Sequence, residues 1–377
     1  MTLGPTRCLV CDRPAPLVSP YPRCECGGNL ALPEIRDPGA PARSGVHGLT
    51  LWRYHAAFPF ASQLRSLTLG EAPVALEPIT LPGLARPIWA LRDDLLPTGS
   101  WKDRGSLWLI AALRACGVTD AIEDSSGNAG LSLARYAEAA RISFTTFVPA
   151  SASVAKQTLI KACGAQLIEV AGPRIEATLA AERAAKQGRF WASHALQPIH
   201  AAGAASAAFE IVEALGRVPD AVILPAGQGG YIAGVFAGFA AMAHSRGTKL
   251  PRMIGVQTVG CAPLAQAFAR GATYATRQLD ARPSLAEGVQ IAAPQRDREA
   301  LHAVRQSRGS IVTTSELSID RAVRCLWREG VRVEPTAAVS VAWLLETEGR
   351  LLHECESVVV LLSGHGVRNG LSLVEGL

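Results

Sequence analysis

The chain has 377 residues, 49% apolar and 18% charged, and a net charge of +5. That length implies two or three lobes, and that composition excludes a mainly disordered chain. The basic excess forms no run, so nothing marks a nucleic-acid or anionic-membrane surface; an anionic small ligand is the most it suggests.

The chain reaches Cys8 without an apolar stretch of signal-peptide length and is read as cytoplasmic. Four of its nine cysteines then fall close together, as Cys8-x-x-Cys11 and Cys24-x-Cys26, followed by Gly27-Gly28. Two close pairs across a short loop have metal-ligand spacing, and four thiolates close a tetrahedral zinc site with no position left for substrate. Zinc there is structural; unlinked thiols or two disulfides are the alternatives. Cys116, Cys163, Cys261, Cys325 and Cys355 stand singly and read as buried small hydrophobes. Pro38–Arg43 resembles a linker.

Short β-rich runs then alternate with Ala-rich helical ones. Strands are expected at Ile88–Arg92, Ser143–Val148, Gln166–Val170, Arg189–Ser193, Ala221–Leu224, Met253–Gln257 and Ser357–Leu362. Helices are expected at Ser106–Cys116, Leu131–Ala140, Val154–Cys163, Arg174–Gln187, Ala202–Leu215 and Tyr231–Arg246. Val358–Leu362 is apolar without alternation, which suits a strand covered on both faces in a parallel sheet. The order predicts an α/β protein with mostly parallel, doubly wound sheets. Ala221–Ser245 carries no Asp, Glu, Lys or Arg, but Pro225–Gly230 breaks it into a short strand and a short helix, which argues against a membrane span.

Ligands in such sheets bind beyond the carboxyl ends of the strands. Three segments there are rich in small residues: Asp124–Gly130, Pro225–Gly230 and Ser363–Gly366. The second is the clearest anion cradle, since glycines allow close backbone approach and the helix that follows directs its positive end there. A fourth segment, Pro97–Gly105, places Lys102 in a small-residue turn beside Trp101. A shielded lysine loses its proton more readily and becomes a nucleophilic amine; a surface lysine is the equal alternative.

Together, and in this order, the four segments resemble those of threonine synthases and their pyridoxal-phosphate relatives of the tryptophan-synthase β-like, fold-type-II group. Thr98–Gly105 is similar to the cofactor-lysine motif, Ser125–Gly130 to the asparagine loop, Pro225–Gly230 to the phosphate loop and Ser363–Gly366 to the segment facing the ring nitrogen. Glu334–Ala338 and the cysteine-rich Cys8–Gly28 match further. The resemblance implies a Schiff base on Lys102, a hydrogen bond from Asn128 to the cofactor's phenolic oxygen, and phosphate held by Gly227, Gln228, Gly229 and Gly230. Ser363 would meet the ring nitrogen as a neutral partner, which suits elimination and replacement. Ser125, Ser126 and Ala129 would border the substrate carboxylate, and Cys8, Cys11, Cys24 and Cys26 would hold the zinc. The implied domains are a zinc ribbon at 1–45, a large cofactor lobe at 46–104 and 201–377, and a small lobe at 105–200, in a homodimer.

The chain departs from the family's pattern on the substrate side. Leu69–Leu76 keeps only the outline of Gly-Glu-Gly-x-Thr-Pro-Leu, and Ser193–Pro198 and Ala202–Ser206 stand for Ser-x-Asn-Pro and Glu-Gly-x-Lys-Thr. Ala129 replaces a hydroxyl-bearing residue. Lys156, Arg174 and His194 are the remaining candidates to meet a substrate phosphate. The leading expectation is therefore a pyridoxal-phosphate lyase or synthase acting on an amino acid, with O-phosphohomoserine to threonine first. Serine/threonine dehydration or β-replacement is the alternative, and a non-catalytic amino-acid sensor is the reading from another class.

Overall fold

The computed structural model describes residues 3–41, 45–84, 86–152 and 154–366. The chain divides into two compact units: Met1–Ala72 with Ser100–Gly203, and Pro73–Gly99 with Ala204–Leu377. The chain crosses between the two units three times. The expected large lobe began at residue 46, whereas residues up to Ala72 cluster with the first unit. Part of the expected linker Pro38–Arg43 lies outside the described residues.

In the first unit the ribbon pairs Pro5–Arg7 with Pro14–Pro16 antiparallel, and bridges between Cys8 and Leu30 and between Arg23 and Asn29 fold its second half back. The ribbon leans on the rest of the unit: the Trp191 amide donates to the Pro20 carbonyl at 2.9 Å, and the Tyr21 hydroxyl to Glu182 at 2.7 Å. Behind it lies a four-stranded parallel sheet in the order Gln166–Val170, Ser143–Pro149, Asp120–Glu123, Phe190–Trp191. Ser143–Pro149 is buried at six of its seven positions, as a strand covered by helices on both faces must be.

The helix Lys102–Ala115 has no polar stripe because almost all of it is inside; eleven of its fourteen residues are buried. Trp108 on it lies 4.5 Å from Trp52 and 4.7 Å from Phe58, so residues 50–63 cap this core with aromatic rings. The expected helix Ala202–Leu215 is two helices, Pro198–Gly203 and Ala205–Leu215. The break falls where the chain leaves the first unit, after Gly203 has packed against Lys102–Ala115. A Cβ on Gly203 would meet the Arg104 carbonyl at 2.1 Å, so only glycine permits that crossing.

The second unit holds a six-stranded sheet in the order Ser310–Thr314, Arg252–Thr258, Ala221–Pro225, Val358–Leu361, Ile88–Leu91, Leu76–Ile79. Every pair is parallel except the last, an edge where Pro78 is tolerated. Val358–Leu361 is central and wholly buried, as its unbroken apolar run requires. Ile223, Val256, Val360, Trp343 and Leu344 form its main core. Helices Pro263–Ala269, Asp297–Gln306, Glu316–Arg328 and Pro335–Thr347 were not anticipated. Nor were the strands Leu76–Ile79, Asp120–Glu123 and Ser310–Thr314.

The helix Gly230–Arg246 follows Ala221–Pro225, and among the described residues no helix is long and apolar enough to cross a membrane. Of the five scattered cysteines only Cys261 is buried; the others are half-buried.

Candidate active site and metal centre

In the first unit, successive connections leave Asp120–Glu123 toward Ser143–Pro149 on one side, while Phe190–Trp191 lies on the other. Strand order therefore reverses between Asp120–Glu123 and Phe190–Trp191, and the loops beyond their carboxyl ends border the unit's ligand crevice. One loop carries Ser125, Ser126, Asn128 and Ala129. The Ser125 hydroxyl accepts from the Gly127 amide at 3.2 Å, and Asn128 opens the helix Asn128–Ala140, whose positive end favours an anion.

Lys102 opens the neighbouring helix. Its ammonium lies 4.0 Å above the Trp101 ring, and Asp103 accepts from Ser132 on the Asn128 helix at 2.6 Å. Ser132 also meets Ser106 at 2.7 Å, so a buried clip ties the lysine helix to the asparagine helix. Tyr136, on the same asparagine helix, donates to buried Glu71. Burial, then Asp103 and Glu71, holds the Tyr136 hydroxyl well above its ordinary value.

The other loop brings a pair that sequence reasoning did not join. The His194 Nδ1 is 2.5 Å from Glu123 Oε1, and the remaining carboxyl oxygen is buried with no hydrogen-bond partner among the described residues. Burial, reinforced by Asp124, raises the Glu123 carboxyl well above its ordinary value. Burial, then the charges of Lys102 and His200, lowers the His194 imidazole well below its own. The pair therefore stands as neutral carboxyl and neutral imidazole. Of the other two expected cations, Lys156 is half-buried on the helix Val154–Ala162, and Arg174 binds Asp124 at 3.1 Å and Thr178 at 2.9 Å. Neither His194 nor Arg174 is a free positive charge for a phosphate. The sequence carried no signal for the pair: only Ala121 and Ile122 precede Glu123 after Asp120, and His194 lies 71 residues away.

In the second unit the sheet order also reverses, between Ala221–Pro225 and Val358–Leu361. Gly227, Gln228, Gly229 and Gly230 follow the first of these strands and Ser363 the second. Among the described residues none of the four loop amides donates to a backbone carbonyl. Gly229 has φ +88°, and a Cβ there would meet the Arg296 carbonyl at 2.4 Å, so the loop's course demands glycine. Four free amides at the start of a 17-residue helix form an anion cradle. The Ser363 hydroxyl is 2% exposed and has no hydrogen-bond partner among the described residues. Tyr231, next on the loop helix, donates to buried Asp93 at 2.5 Å and anchors that helix start within its own unit.

The pyridoxal-phosphate dependent enzyme family matches residues 66–364. The chain belongs to that family. It is 28% identical to the threonine synthase of Methanocaldococcus jannaschii across 96% of this chain and 92% of that protein. It is 32% identical to the threonine synthase of Mycobacterium tuberculosis H37Rv across 74% and 76%. A threonine deaminase from T.th. superposes with a TM-score of 0.67 at 25% identity, covering 78% of this chain and 92% of that one. Maize serine racemase, at 20% identity and a TM-score of 0.70 over 81% and 91%, shares the fold. The chain is thus a threonine synthase-like pyridoxal-phosphate enzyme of fold type II, with α/β units and a four-cysteine cluster at its N-terminus.

In that cluster the sulfurs of Cys8, Cys11, Cys24 and Cys26 all lie within 4.8 Å of one another. Cys8 and Cys26 are 3.5 Å apart and Cys11 and Cys24 3.6 Å, too far for disulfides. These spacings approach the roughly 3.8 Å edge of a tetrahedron with zinc–sulfur bonds of about 2.3 Å. The Val10 amide points at the Cys8 sulfur at 3.4 Å, an outer hydrogen bond of the kind that steadies a metal thiolate.

Proposed function

We propose that the chain binds pyridoxal phosphate through Lys102, Asn128, Gly227–Gly230 and Ser363, and uses it for elimination or replacement on an amino acid. The observation that carries this reading is the buried, partnerless Ser363 hydroxyl beyond the strand beside the free-amide loop. A cofactor phosphate satisfies the amides, and a pyridine nitrogen satisfies a neutral hydroxyl. When bound, the cofactor withdraws electrons from the substrate's Cα.

The chain's own groups supply the rest. The Lys102 amine holds the cofactor covalently and then takes and returns the proton at Cα. Asn128 orients the cofactor by its phenolic oxygen. Ser363, carrying no charge, leaves the ring a weaker sink than a carboxylate partner would, which favours loss of a side-chain group. Ser125 and Ser126, with the amides at Ala129 and the helix start, receive the substrate carboxylate. The four thiolates hold a structural zinc.

The first substrate to test is O-phosphohomoserine, with threonine and phosphate as products, on the strength of the threonine synthase relatives. Dehydration or β-replacement is favoured by a different observation: Arg174 is engaged by Asp124, and His194 is neutral against Glu123. The experiment is absorption of the purified holoenzyme titrated with O-phosphohomoserine, serine, threonine and O-phosphoserine, with phosphate, ammonia and threonine assayed in parallel. A band shift with threonine formed supports the first substrate. Ammonia from serine or threonine alone moves the assignment to dehydration. No product from any of the four contradicts both.

A further inference from the structure

Gly105, on the lysine helix, faces His200 so closely that a Cβ there would meet the His200 carbonyl at 2.3 Å and its ring at 2.7 Å. That contact seats the His200 imidazole, completely buried, against the start of the lysine helix. Its ring lies edge-on to Trp101 at 5.8 Å and to His194 at 6.0 Å. The outer end of this stack is fixed by the Glu123 hydrogen bond at 2.5 Å, and the inner end is the Trp101 face on which the Lys102 ammonium rests at 4.0 Å. Carboxyl, two imidazoles, indole and ammonium thus form one continuous column within the first unit.

We infer that Glu123 and His194 are positioning residues for the Lys102 amine, acting through His200 and the face of Trp101. The inference rests on Lys102 being the cofactor lysine. Lys102 must exist as a free amine whenever the cofactor is held by substrate instead, and the indole face is where its ammonium then sits. A π-face stabilises the charged form, so the column governs how readily the lysine recovers the uncharged form needed to take a proton. Glu123, fixed in place by the pairing of its backbone with Thr146 on the adjacent strand, keeps His194 in one ring orientation. His194 and Gly105 between them leave His200, and hence Trp101, a single seat. Other charged groups face the column: Lys102, His200 and Arg174 face His194, and Asp124, Arg174 and Lys102 face Glu123. Asp103, beside Lys102, is bonded to Ser132.

The test is a double-mutant cycle read on one lysine. The cofactor-free protein is acylated at a series of pH values, and the midpoint of Lys102 reactivity is measured by peptide mapping. Only four other lysines are present, so the assignment is unambiguous. Trp101→Leu is expected to lower the midpoint by about half a pH unit, the size of a modest cation–π contact. His194→Ala is expected to lower it in the wild-type background and to leave it unmoved in the Trp101→Leu background. An equal shift in both backgrounds overturns the inference, because it shows His194 acting on Lys102 independently of Trp101. So does no shift in the wild-type background. His194→Gln retains a polar partner for Glu123 and is expected to restore at least half of the shift; if the alanine variant does not fold, His194→Leu, which also removes that partner, supplies the cycle. Borohydride reduction of the holoenzyme, mapped in parallel, locates the cofactor lysine. A label elsewhere than Lys102 refutes the cofactor assignment, while the acylation cycle still decides the positioning.

Discussion

Replacing Glu123 with glutamine changes how the first unit's stability depends on pH, and the sign follows from proton counting. The folded pair holds one proton, because burial raises the carboxyl well above its ordinary 4.5 and lowers the imidazole well below its ordinary 6.5. The unfolded chain carries two protons on these groups below pH 4.5, one between the two values and none above 6.5. Stability from the depressed imidazole is present above 6.5 and lost as pH falls. Stability from the raised carboxyl is present below 4.5 and lost as pH rises through its folded value. Between 4.5 and 6.5 the two trends cancel, so the wild-type pair contributes a plateau. Glutamine still accepts from an imidazole N–H but does not titrate, so only the histidine's trend remains. With a limiting slope of about 1.4 kcal/mol per pH unit for one proton, Glu123→Gln should lose stability relative to wild type as pH falls from 6.5 toward 4.5. Urea unfolding of both proteins, followed by hydrogen exchange in peptides covering Asp120–Glu123 and Phe190–Trp191, measures the difference while all other titrations cancel. Parallel curves for the two proteins would refute the neutral-pair assignment.

Other perturbations have equally direct outcomes. Lys102→Ala should abolish borohydride-stable attachment of pyridoxal phosphate and product formation while leaving the far-ultraviolet dichroism unchanged. Gly105→Ala forces a Cβ into the His200 carbonyl at 2.3 Å and should destabilise the first unit by about 1–3 kcal/mol, read as a lower unfolding midpoint. Ser132→Ala removes a 2.6 Å hydrogen bond from buried Asp103 and should cost about 1–3 kcal/mol. Chelation of the zinc proposed for Cys8, Cys11, Cys24 and Cys26 should speed hydrogen exchange at the Trp191 amide, whose acceptor is the ribbon's Pro20 carbonyl. Unchanged exchange at Trp191 after metal release would show that the ribbon docks without metal.

Much of the molecule could be read from residue order because the relevant physics is local. Four cysteines within 19 residues, a glycine loop between a strand and a helix, and an unbroken Val/Leu run each carry their own signal. Gln166–Val170 was placed to the residue, and the central position of Val358–Leu361 followed from its composition. The helix Glu316–Arg328 was equally legible, since Ile319, Ala322, Val323 and Leu326 repeat at helical spacing, but it was not read. Asp120–Glu123 was harder: four residues flanked by charges have no period to detect, and the strand exists because two parallel neighbours complete its hydrogen bonds. The same limit applies to chemistry. Sequence singled out Lys102, Asn128, the glycine loop and Ser363 because each sits in a distinctive local run. It could not join Glu123 to His194, 71 residues apart, or place His200 behind Trp101. Those neighbours are set by strand order and by two glycines that let one helix lie against another, and contact across the chain is a property only the folded backbone possesses.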